Sequence, residues 1–326
     1  MITLKEVAEE VGVSIATVSY ALNGRGSVSK SMQNKVHEAA KRLGYRPNRK
    51  AQAMRTGMTR SIGLILPDLT NPFFPELAQK VEVAAREQGF TVTLFDTQND
   101  KSAEEEGFQI LSQHGVDGII CCPVSNELPT SVNNLMCPVV LVDRPISGFD
   151  VVQSDYRHGG ELVANYVNNS GHQYVGMLSG PKNIESARQR REGVLAALAE
   201  HIEVVWEVEM PFSKDLPEEA RQHLKSNRAS LIIAADDLIA VGAFNEIEEL
   251  GLRVPEDVSV IGFDNMPWST LIRPHLTTID QPIGTIGLEA VNLLAQKIKT
   301  PDRAVKTVVL SVELVERNSV LALNSA

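Results

Sequence analysis

The feature that most constrains the fold of this chain is a series of short apolar runs that begins near residue 61. Seven such runs, separated by stretches with helical periodicity, occupy residues 62–66, 92–95, 118–122, 139–142, 175–178, 231–235 and 258–263. Uninterrupted apolar strands of this kind are typical of parallel sheets that helices cover on both faces. We therefore predict an α/β body, and its length fits two parallel-sheet lobes.

Aspartates follow four of these runs at the carboxyl end of the predicted strand. They are Asp68, Asp143, Asp236 with its neighbour Asp237, and Asp264. In open α/β sheets, ligands bind just outside the carboxyl ends of the strands. A single acid of this kind is commonly a helix cap, but the recurrence of acids at equivalent places predicts a ligand site along this edge.

Charge divides the chain into two unlike parts. Residues 1–60 contain eleven lysines and arginines against four glutamates, a net charge of +7, whereas the whole chain has a net charge of −10. The remaining residues therefore have a net charge of −17. A small basic segment joined to a large acidic body predicts that only the first part binds a polyanion.

The basic segment contains the pattern of three short helices. Thr3 begins a capping box for a first helix that ends at Gly12, and Ser14 is placed to cap a second helix over about 15–22. A third helix is predicted over 30–43. Two short helices joined by a turn that contains glycine are typical of the helix-turn-helix, an all-α DNA-binding domain.

The second helix of this pattern has two different faces. One face, suited to packing against the first helix, consists of Thr17, Val18, Ala21 and Leu22. The other face consists of Ile15, Ala16, Ser19 and Tyr20. Its methyl groups can contact thymine methyls, and its hydroxyls can bond bases or phosphates. We therefore predict that this second face reads the major groove.

Residues 47–57 are predicted to form one short helix between the basic segment and the body. Asn48 is placed to cap this helix and Gly57 to end it. About two turns are too few for a helix that is stable by itself in water. We therefore predict that the segment folds only against DNA or a partner subunit.

Several ordered segments of the chain resemble the lactose/galactose repressor family. In the basic part they are TLKEVA at 3–8, GVSIATVS at 12–19, NG at 23–24 and LGYRPN at 43–48. In the body they are LPDLTNPFF at 66–74, SARQRREG at 186–193, IGFDN at 261–265 and LTTIDQP at 276–282. The resemblance therefore spans nearly the whole chain.

The resemblance implies three regions. A helix-turn-helix domain occupies 1–46, a hinge helix and linker occupy 47–60, and an effector-binding domain like the periplasmic binding proteins occupies 61–326. The first lobe of that domain takes about 61–156 and 284–308, and the second lobe takes about 157–280 and 309–326.

The resemblance also implies a homodimer that places two recognition helices in a pseudo-palindromic operator of double-stranded DNA. The DNA-binding residues that it implies are Thr3, Ser14, Ile15, Ala16, Thr17, Ser19, Tyr20, Asn23, Ser27, Asn48, Arg49 and Met54. Met54 stands where family members insert a leucine into the minor groove, and a plain dimer contact is the alternative. Many members have arginine or histidine at the position of Tyr20, which leaves the operator sequence open.

An effector site between the lobes, for a small sugar or sugar derivative, is a further implication of the resemblance. Its residues here are Phe73, Phe74, Asp143, Arg144, Ser186, Arg190, Phe212, Asp236, Asp264 and Gln281. Carboxylates accept hydrogen bonds from sugar hydroxyls, and a guanidinium donates to two oxygens at once. Sugar-binding members usually have asparagine where this chain has Asp236. A polyol ligand, an amino-bearing ligand, or a pair between Asp236 and Arg144 would each explain that difference.

Other functional classes lack their signatures in this sequence. There is no GxGxxG after a strand, no GxxxxGK[ST], no GxSxG and no HExxH, and the histidines form no spaced metal pair. We therefore expect no enzyme activity, no metal and no cofactor. Neither a signal-peptide pattern nor a membrane-spanning run occurs. A cytoplasmic protein is therefore expected, and not a periplasmic sugar-binding protein.

The sequence thus predicts a sequence-specific DNA-binding repressor that is controlled by a sugar-like effector and acts as a homodimer. Two alternatives remain open. One is a regulator that answers a nucleobase or nucleoside, and the other is a transcriptional activator. The three cysteines, Cys121, Cys122 and Cys137, are odd in number and lie in apolar surroundings, which indicates core residues instead of a disulfide framework.

Overall fold

The computed structural model describes residues 2–23, 28–45, 57–226 and 228–323. The chain separates into two compact units, Met1–Thr59 and Arg60–Ala326, which are called the head and the body below. The head is all-α and the body is α/β with parallel sheets, which confirms the predicted fold class. No helix within the described ranges is both long and apolar enough to span a membrane.

The described part of the head consists of helices α1 (Leu4–Val11), α2 (Ile15–Asn23) and α3 (Lys30–Leu43). The predicted capping box at Thr3 is present, and Gly12 ends α1 in the left-handed region at a φ of 72°. The three helices share a small apolar core built around Val7, Val18 and Val36, all fully buried. Of the packing face predicted for α2, Val18, Ala21 and Leu22 therefore contribute to this core, and Thr17 is half-buried.

The first lobe of the body is built on a six-stranded parallel sheet in which each strand is paired with its sheet neighbours. Its elements are β1 (Ser61–Leu66), α4 (Phe73–Glu87), β2 (Thr91–Asp96), α5 (Lys101–Gln113), β3 (Gly118–Cys121), β4 (Val139–Val142) and β5 (Asp150–Ser154). A short 3-10 helix spans Thr130–Asn134. Two later elements, α10 (Ile283–Lys299) and β11 (Thr307–Leu310), return to this lobe. The strand order is β11-β5-β4-β3-β1-β2.

The second lobe has a four-stranded parallel sheet and a two-stranded antiparallel ribbon. Its elements are α6 (Tyr156–Ser170), β6 (Tyr174–Ser179), α7 (Glu185–Ala197), β7 (Glu203–Glu209), α8 (Glu218–Ser226), β8 (Leu231–Ala234), α9 (Asp237–Glu249), β9 (Ser259–Ile261), β10 (Thr278–Asp280) and β12 (Glu313–Val315). The sheet order is β7-β6-β8-β9, and β10 pairs with β12. A second 3-10 helix spans Pro267–Thr270.

The described chain passes between the two lobes at three places. It leaves the first lobe after β5, returns between β10 and α10, and leaves again between β11 and β12. All these parallel strands point their carboxyl ends toward the edge where ligands of α/β sheets bind. The predicted strand-end acids therefore come from both lobes toward one cleft.

Two glycines hold helices α6 and α7 in close contact. A Cβ atom at Gly160 would lie 2.2 Å from the Arg190 carbonyl oxygen, and one at Gly193 would lie 2.0 Å from the Arg157 carbonyl oxygen. Both distances are too short for any side chain, so the two backbones approach as only glycine permits. Helix α7 is therefore fixed on the second lobe, and the arginine that it contributes to the cleft has a rigid support.

Candidate functional site

A cavity of about 310 Å³ lies between the two lobes. Residues of both lobes line it: Asp68, Asn71, Phe74, Asn99, Lys101, Val124, Ser125, Arg144, Pro181, Asn183, Ile184, Pro211 and Phe212. Two of the predicted apolar walls, Phe74 from the first lobe and Phe212 from the second, are among them. An aromatic side chain on each lobe offers apolar surface to a ligand held between them.

Two buried pairs of a carboxylate and a guanidinium lie near the cavity, one in each lobe, and of these four residues Arg144 lines it. Asp143, just after β4, is 3.5 Å from Arg144, measured from Oδ2 to Nε. Arg190 on α7 is 3.0 Å from Asp264, measured from Nη1 to Oδ1. All four side chains are more than nine-tenths buried. The structure thus brings together four residues that the sequence predicted for the effector site.

The two carboxylates share an uncommon backbone conformation. Asp143 has a φ of 65° and Asp264 a φ of 116°, and Asn265 follows with a φ of 52°. Holding a residue other than glycine at positive φ costs about 1–3 kcal/mol of conformational energy, and such strained residues cluster at functional sites. The backbone therefore holds both carboxylates in place instead of leaving them free to adjust.

Fixed contacts also orient the two guanidinium groups. Arg144 donates to the carbonyl oxygens of Pro123 at 2.6 Å and Val124 at 3.3 Å. Arg190 donates to the carbonyl oxygen of Ala235 at 2.7 Å, and its Cζ lies 4.0 Å from the ring centroid of Phe263. The Nε atoms of both arginines are buried and have no hydrogen-bond partner within the described residues. Because Arg144 Nε still faces Asp143 Oδ2 at 3.5 Å, the buried donor that a ligand acceptor could satisfy is Arg190 Nε.

The hydrogen-bond partners of Asp236 are Ile239 and Asn71, and not Arg144. Its Oδ1 accepts from the backbone N–H of Ile239 at 2.7 Å and so caps α9. Its Oδ2 accepts from Asn71 Nδ2 of the other lobe at 3.4 Å. The ion pair of Arg144 is made with Asp143 instead, because Arg144 follows Asp143 on the same loop. The proposed pairing of Asp236 with Arg144 is therefore absent from the described contacts.

Burial raises the pKa of the acids in the second lobe. Burial is the main cause at Asp264, where the repulsion of Asp236 adds to it and Arg190 opposes it, and the pKa is raised to about 7. The pKa of Asp236 is raised to about 6, again chiefly by burial. Asp237 accepts hydrogen bonds from Met266 N–H and from the Thr278 hydroxyl. Burial raises its pKa well above the usual range. Asp236 and Asp264 therefore titrate within the range of ordinary buffers.

Replacing Asp264 with asparagine should change how stability depends on pH. A folded-state pKa above the unfolded value means that the native protein holds a proton that the unfolded chain releases, so this acid destabilises the fold as pH rises from about 4 to 7. We expect the free energy of unfolding of Asp264→Asn, relative to wild type, to increase between pH 5 and pH 8. Urea unfolding at both pH values measures this difference.

An exposed acid provides the control for that experiment. Asp257 has a lowered pKa because it accepts hydrogen bonds from the Arg253 side chain and backbone, so it is already ionised above pH 5. The Asp257→Asn variant should therefore show the same difference from wild type at pH 5 and pH 8. A difference for Asp264→Asn that is equally flat would contradict the assignment of a raised pKa to Asp264.

Gln281 lies where the chain returns to the first lobe. Its Nε2 donates to Asp264 Oδ1 at 2.6 Å, and its Oε1 accepts from the Ser154 hydroxyl at 2.7 Å. Ser154 is the last residue of β5, at the first passage between the lobes. Gln281 therefore connects a carboxylate of the site with two of the three interlobe passages.

A second contact between the lobes lies at the start of α7. Ile184 precedes this helix and has no side-chain group that could cap it. Asn126 of the first lobe supplies the cap instead, because its Oδ1 accepts from the Glu185 backbone N–H at 3.2 Å. Helix α7, which contains Arg190, is therefore capped by the opposite lobe, and the cap exists only when the two lobes are close.

Seven of the ten predicted effector residues are buried but do not line this cavity: Phe73, Asp143, Ser186, Arg190, Asp236, Asp264 and Gln281. Phe73 packs edge-to-face on Phe74 in the core of the first lobe, at 5.2 Å between ring centroids. Ser186 is buried on the first turn of α7. Residues that the sequence reasoning did not select include Asn71, Asn126 and Tyr156. Only Asn71 had a usable signal, since it lies inside the 66–74 segment.

In the head, the predicted DNA-reading face of α2 is open to solvent. Ile15 is 47% exposed and Tyr20 is 52% exposed, and Ala16 is exposed beside them. An apolar side chain and a tyrosine at this exposure leave a surface that a groove could cover. Ile15 and Tyr20 therefore lie outside the core of the described head.

The other predicted DNA contacts have varied environments. Thr3 and Ser14 act as helix caps, since the Ser14 hydroxyl accepts from Thr17 N–H at 3.1 Å. Ser19 and Thr17 are half-buried. The remaining predictions lie outside the described residues: Ser27, Asn48, Arg49, Met54 and the side chain of Asn23. The hinge helix predicted over 47–57 lies almost wholly outside them as well.

No group of His, Cys, Asp or Glu side chains that could hold a metal ion occurs within the described ranges. Cys121 and Cys122 are fully buried in the first lobe and Cys137 is half-buried, all three as free thiols. Burial raises the pKa of each thiol, so the thiols stay protonated and unreactive. The chemistry available at the cleft is hydrogen bonding and apolar contact.

Comparison with known families identifies both units. Residues 3–48 match the family described as bacterial regulatory proteins, lacI family. Residues 59–317 match the family described as periplasmic binding proteins and sugar binding domain of LacI family. A ribose operon repressor of Bacillus subtilis is 35% identical over 98% of this chain and 98% of its own length. A transcriptional repressor PurR of Aliivibrio fischeri is 31% identical over 98% of this chain and 99% of its own length.

Solved structures agree with these relatives. The Lac repressor dimer bound to operator and the anti-inducer ONPF matches 98% of this chain and 99% of its own, with a TM-score of 0.83 and 28% identity. A LacI family regulator of Enterococcus faecium with bound ribose matches 81% of this chain and 100% of its own, with a TM-score of 0.71 and 29% identity. The chain belongs to the LacI family and is a DNA-binding transcriptional regulator, not an enzyme.

Proposed function

We propose that this chain represses transcription from an operator whose affinity it adjusts by binding an uncharged sugar of about pentose size between its lobes. One observation above all supports the effector class. Two buried carboxylate–guanidinium pairs, Asp143 with Arg144 and Asp264 with Arg190, lie in the two lobes on either side of a cavity, and this cavity is lined by Arg144 and by an aromatic side chain from each lobe. Donors and acceptors of both kinds at fixed positions are what several neighbouring hydroxyls need.

Charge balance favours a neutral ligand over a phosphorylated one. Each buried guanidinium is already paired with a carboxylate, so no buried cation is left for a phosphate. Lys101 also lines the cavity, but it is exposed and Asp68 lines the same cavity. A charge is expensive to bury without its own partner. An uncharged polyol costs less to bury at this site.

The volume of the cavity also favours a small sugar. At about 310 Å³ it lies at the lower end of the range of about 300–1,000 Å³ for small-molecule pockets. A monosaccharide suits this volume better than an oligosaccharide. Relatives support the choice of pentose, since one relative is a ribose operon repressor and one solved relative contains ribose.

Contacts between the lobes offer a path from effector to DNA. Asn71 bonds Asp236 across the cleft, and Asn126 caps α7 across it. A ligand that contacts both lobes favours the arrangement in which these bonds are made, by as much as it prefers that arrangement. In a dimer, this change would move the first lobes of the two subunits. The segment 47–60 would then be stabilised on DNA or released from it.

A ligand screen followed by a DNA-binding measurement tests the proposal. Thermal shifts of the full-length protein are measured with D-ribose, D-xylose, D-ribose 5-phosphate, D-glucosamine, adenosine and hypoxanthine. Operator affinity is then measured by fluorescence anisotropy at one fixed salt concentration, on duplexes selected from a random library with the same protein. A ligand at 100 times its Kd stabilises the protein by about 2.7 kcal/mol, which is several degrees in Tm.

Each outcome decides between named classes. A shift with a neutral pentose, together with changed operator affinity, is the expected result. A response only to D-glucosamine would replace the polyol with an amino-bearing ligand at Asp236. A response only to adenosine or hypoxanthine would replace the sugar with a nucleobase ligand. In a reporter strain, deleting the chain should raise expression from the selected operator, whereas an activator would give a decrease.

A further inference from the structure

Tyr156 occupies the point where the first passage between the lobes ends. It is the first residue of α6, and its side chain is fully buried. Its ring lies in the apolar core of the second lobe, 6.4 Å from the Phe263 ring by centroids. A tyrosine buried to this degree needs a partner for its hydroxyl. That partner is found in the other lobe.

The hydroxyl of Tyr156 donates to Asp143 Oδ1 at 2.5 Å. Asp143 belongs to the first lobe, where it follows β4. The ring of the same tyrosine faces a guanidinium of the second lobe, with Arg190 Cζ 5.0 Å from its centroid. One side chain therefore contacts the proposed ligand carboxylate of one lobe and the proposed ligand guanidinium of the other.

We infer that Tyr156 is a positioning residue for the effector site: its hydroxyl fixes the Asp143 carboxylate, its ring supports Arg190, and it sets the distance between these two groups across the lobes. The inference rests on the proposed function of the cleft. No contact of Tyr156 with the ligand is needed, because it does not line the cavity. It acts through the two residues that it orients.

The protonation of Tyr156 suits this role. Burial, and then the neighbouring Asp143 carboxylate, raise the pKa of the phenol well above its usual value. The hydroxyl therefore stays protonated and acts as a donor at every working pH. With Oδ1 of Asp143 held in this way, the remaining lone pairs of the carboxylate are left in a fixed direction for ligand hydroxyls. Without this donor, Oδ1 of Asp143 would lose its hydrogen bond, while Oδ2 would keep its contact with Arg144.

The Tyr156→Phe variant removes the hydroxyl and keeps the ring. We expect the Kd for D-ribose, measured by calorimetry, to rise about ten-fold to a hundred-fold, as for loss of a hydrogen bond to a charged group. Tyr166→Phe is the matched control, because Tyr166 is on the same helix and its hydroxyl donates to Glu316 at 3.1 Å. Its Kd should equal that of wild type. Tyr156→Leu, which also removes the ring beneath Arg190, should bind more weakly than Tyr156→Phe.

A double-mutant cycle separates positioning from a merely structural role. Asp143→Asn and Tyr156→Phe are combined, and both Kd and the unfolding equilibrium are measured for each variant. Positioning predicts that the two effects on Kd are strongly non-additive, with the double variant little worse than Asp143→Asn alone. Lower stability of Tyr156→Phe with an unchanged Kd, or additive effects on Kd, would overturn the inference.

The cycle also distinguishes failure of the proposed function from failure of the inference. If wild type binds none of the screened sugars, the pentose assignment fails, and the Kd of the ligand that does bind is used instead. If no ligand is found, the unfolding equilibria alone decide. If the effects of Tyr156→Phe and Asp143→Asn on the unfolding equilibrium are additive, the contact between Tyr156 and Asp143 does not join the lobes and the inference fails. A non-additivity of about ten-fold or more in the unfolding equilibrium constant would support it.

Discussion

Replacing Arg190 with alanine is expected to abolish the response to effector while ligand-free operator binding stays largely intact. Arg190 makes the ion pair with Asp264, the hydrogen bond to the Ala235 carbonyl oxygen and the stacking contact with Phe263. Its loss removes the guanidinium fork that would donate to the ligand, and it leaves the Asp264 carboxylate buried beside Asp236 without a cation. Both consequences weaken effector binding.

The expected effect is large because the group is buried. Truncating one partner of a buried, hydrogen-bonded charge pair costs about 2–5 kcal/mol in binding, or about 30-fold to several thousand-fold in Kd. Breaking the same pair also lowers the free energy of unfolding, by about 3–5 kcal/mol. The measurement is therefore a calorimetric titration of effector below the Tm of the variant, paired with operator anisotropy in the presence and absence of effector.

Arg191 provides the matched control for this variant. It is the next residue on α7, and it is also ion-paired, through Nε and Nη2 to Glu207 on β7. Unlike Arg190, which is paired with Asp264, Arg191 has its charged partners in Glu207, Glu192 and Glu209, none of which was predicted for the effector site. The Arg191→Ala variant should therefore respond to effector like wild type. Normal effector titration of Arg190→Ala would show that the cleft at Arg190 is not the effector site.

The head could be predicted closely from the sequence because local signals fix it. Thr3 and Ser14 are caps that act within three residues, and Gly12 ends α1 because only glycine adopts its φ without cost. The third helix begins at Lys30 and ends at Leu43, as its periodicity predicts. Each of these effects involves neighbours in the sequence, so the sequence is sufficient to show them.

Apolar runs predicted most of the strands of the body, although β2 is largely exposed along its length and β5, which is mostly buried, was not predicted. All seven predicted runs are strands, and β5, β7, β10, β11 and β12 were not predicted. Strand β7 is EVVWEVE, in which charged residues alternate with apolar ones at the edge of its sheet. Strands β10 and β12 have three residues each and form a ribbon at the passages between the lobes. Their pairing depends on distant parts of the chain, which periodicity does not record.

For the site, the sequence identified the groups but not their partners. The strand-end rule placed Asp143 and Asp264 at the cleft, and their backbone strain and buried arginines accompany them in the structure. A helix cap at Asp236 is a local contact, three residues from Ile239, but the rule could not show that Asp236 also faces Asn71, which is 165 positions away in the sequence. No sequence pattern indicated Tyr156 or Asn126, because each of them belongs to one lobe and makes its hydrogen bond to the other.

Replacing Tyr20 with alanine is expected to weaken binding to operator more than binding to random DNA. Tyr20 is 52% exposed on the face of α2 that also presents Ile15, so its removal costs the head little stability. Contacts to base edges give discrimination, whereas contacts to phosphates give affinity for any sequence. Loss of a base contact costs about 1–3 kcal/mol, so operator affinity should fall by about ten-fold or more.

The comparison must be made at one salt concentration, because phosphate contacts release counterions and depend steeply on salt. His37→Ala is the control, since it removes an exposed ring from α3 of the same head. It should leave the ratio of specific to non-specific affinity unchanged. Because tyrosine is uncharged, Tyr20→Ala should leave the slope of log K against log salt unaltered whether Tyr20 contacts a base or a phosphate, so the ratio of specific to non-specific affinity is the deciding measurement. Equal losses for Tyr20→Ala on operator and random duplexes would mean that this tyrosine holds the backbone and does not read sequence.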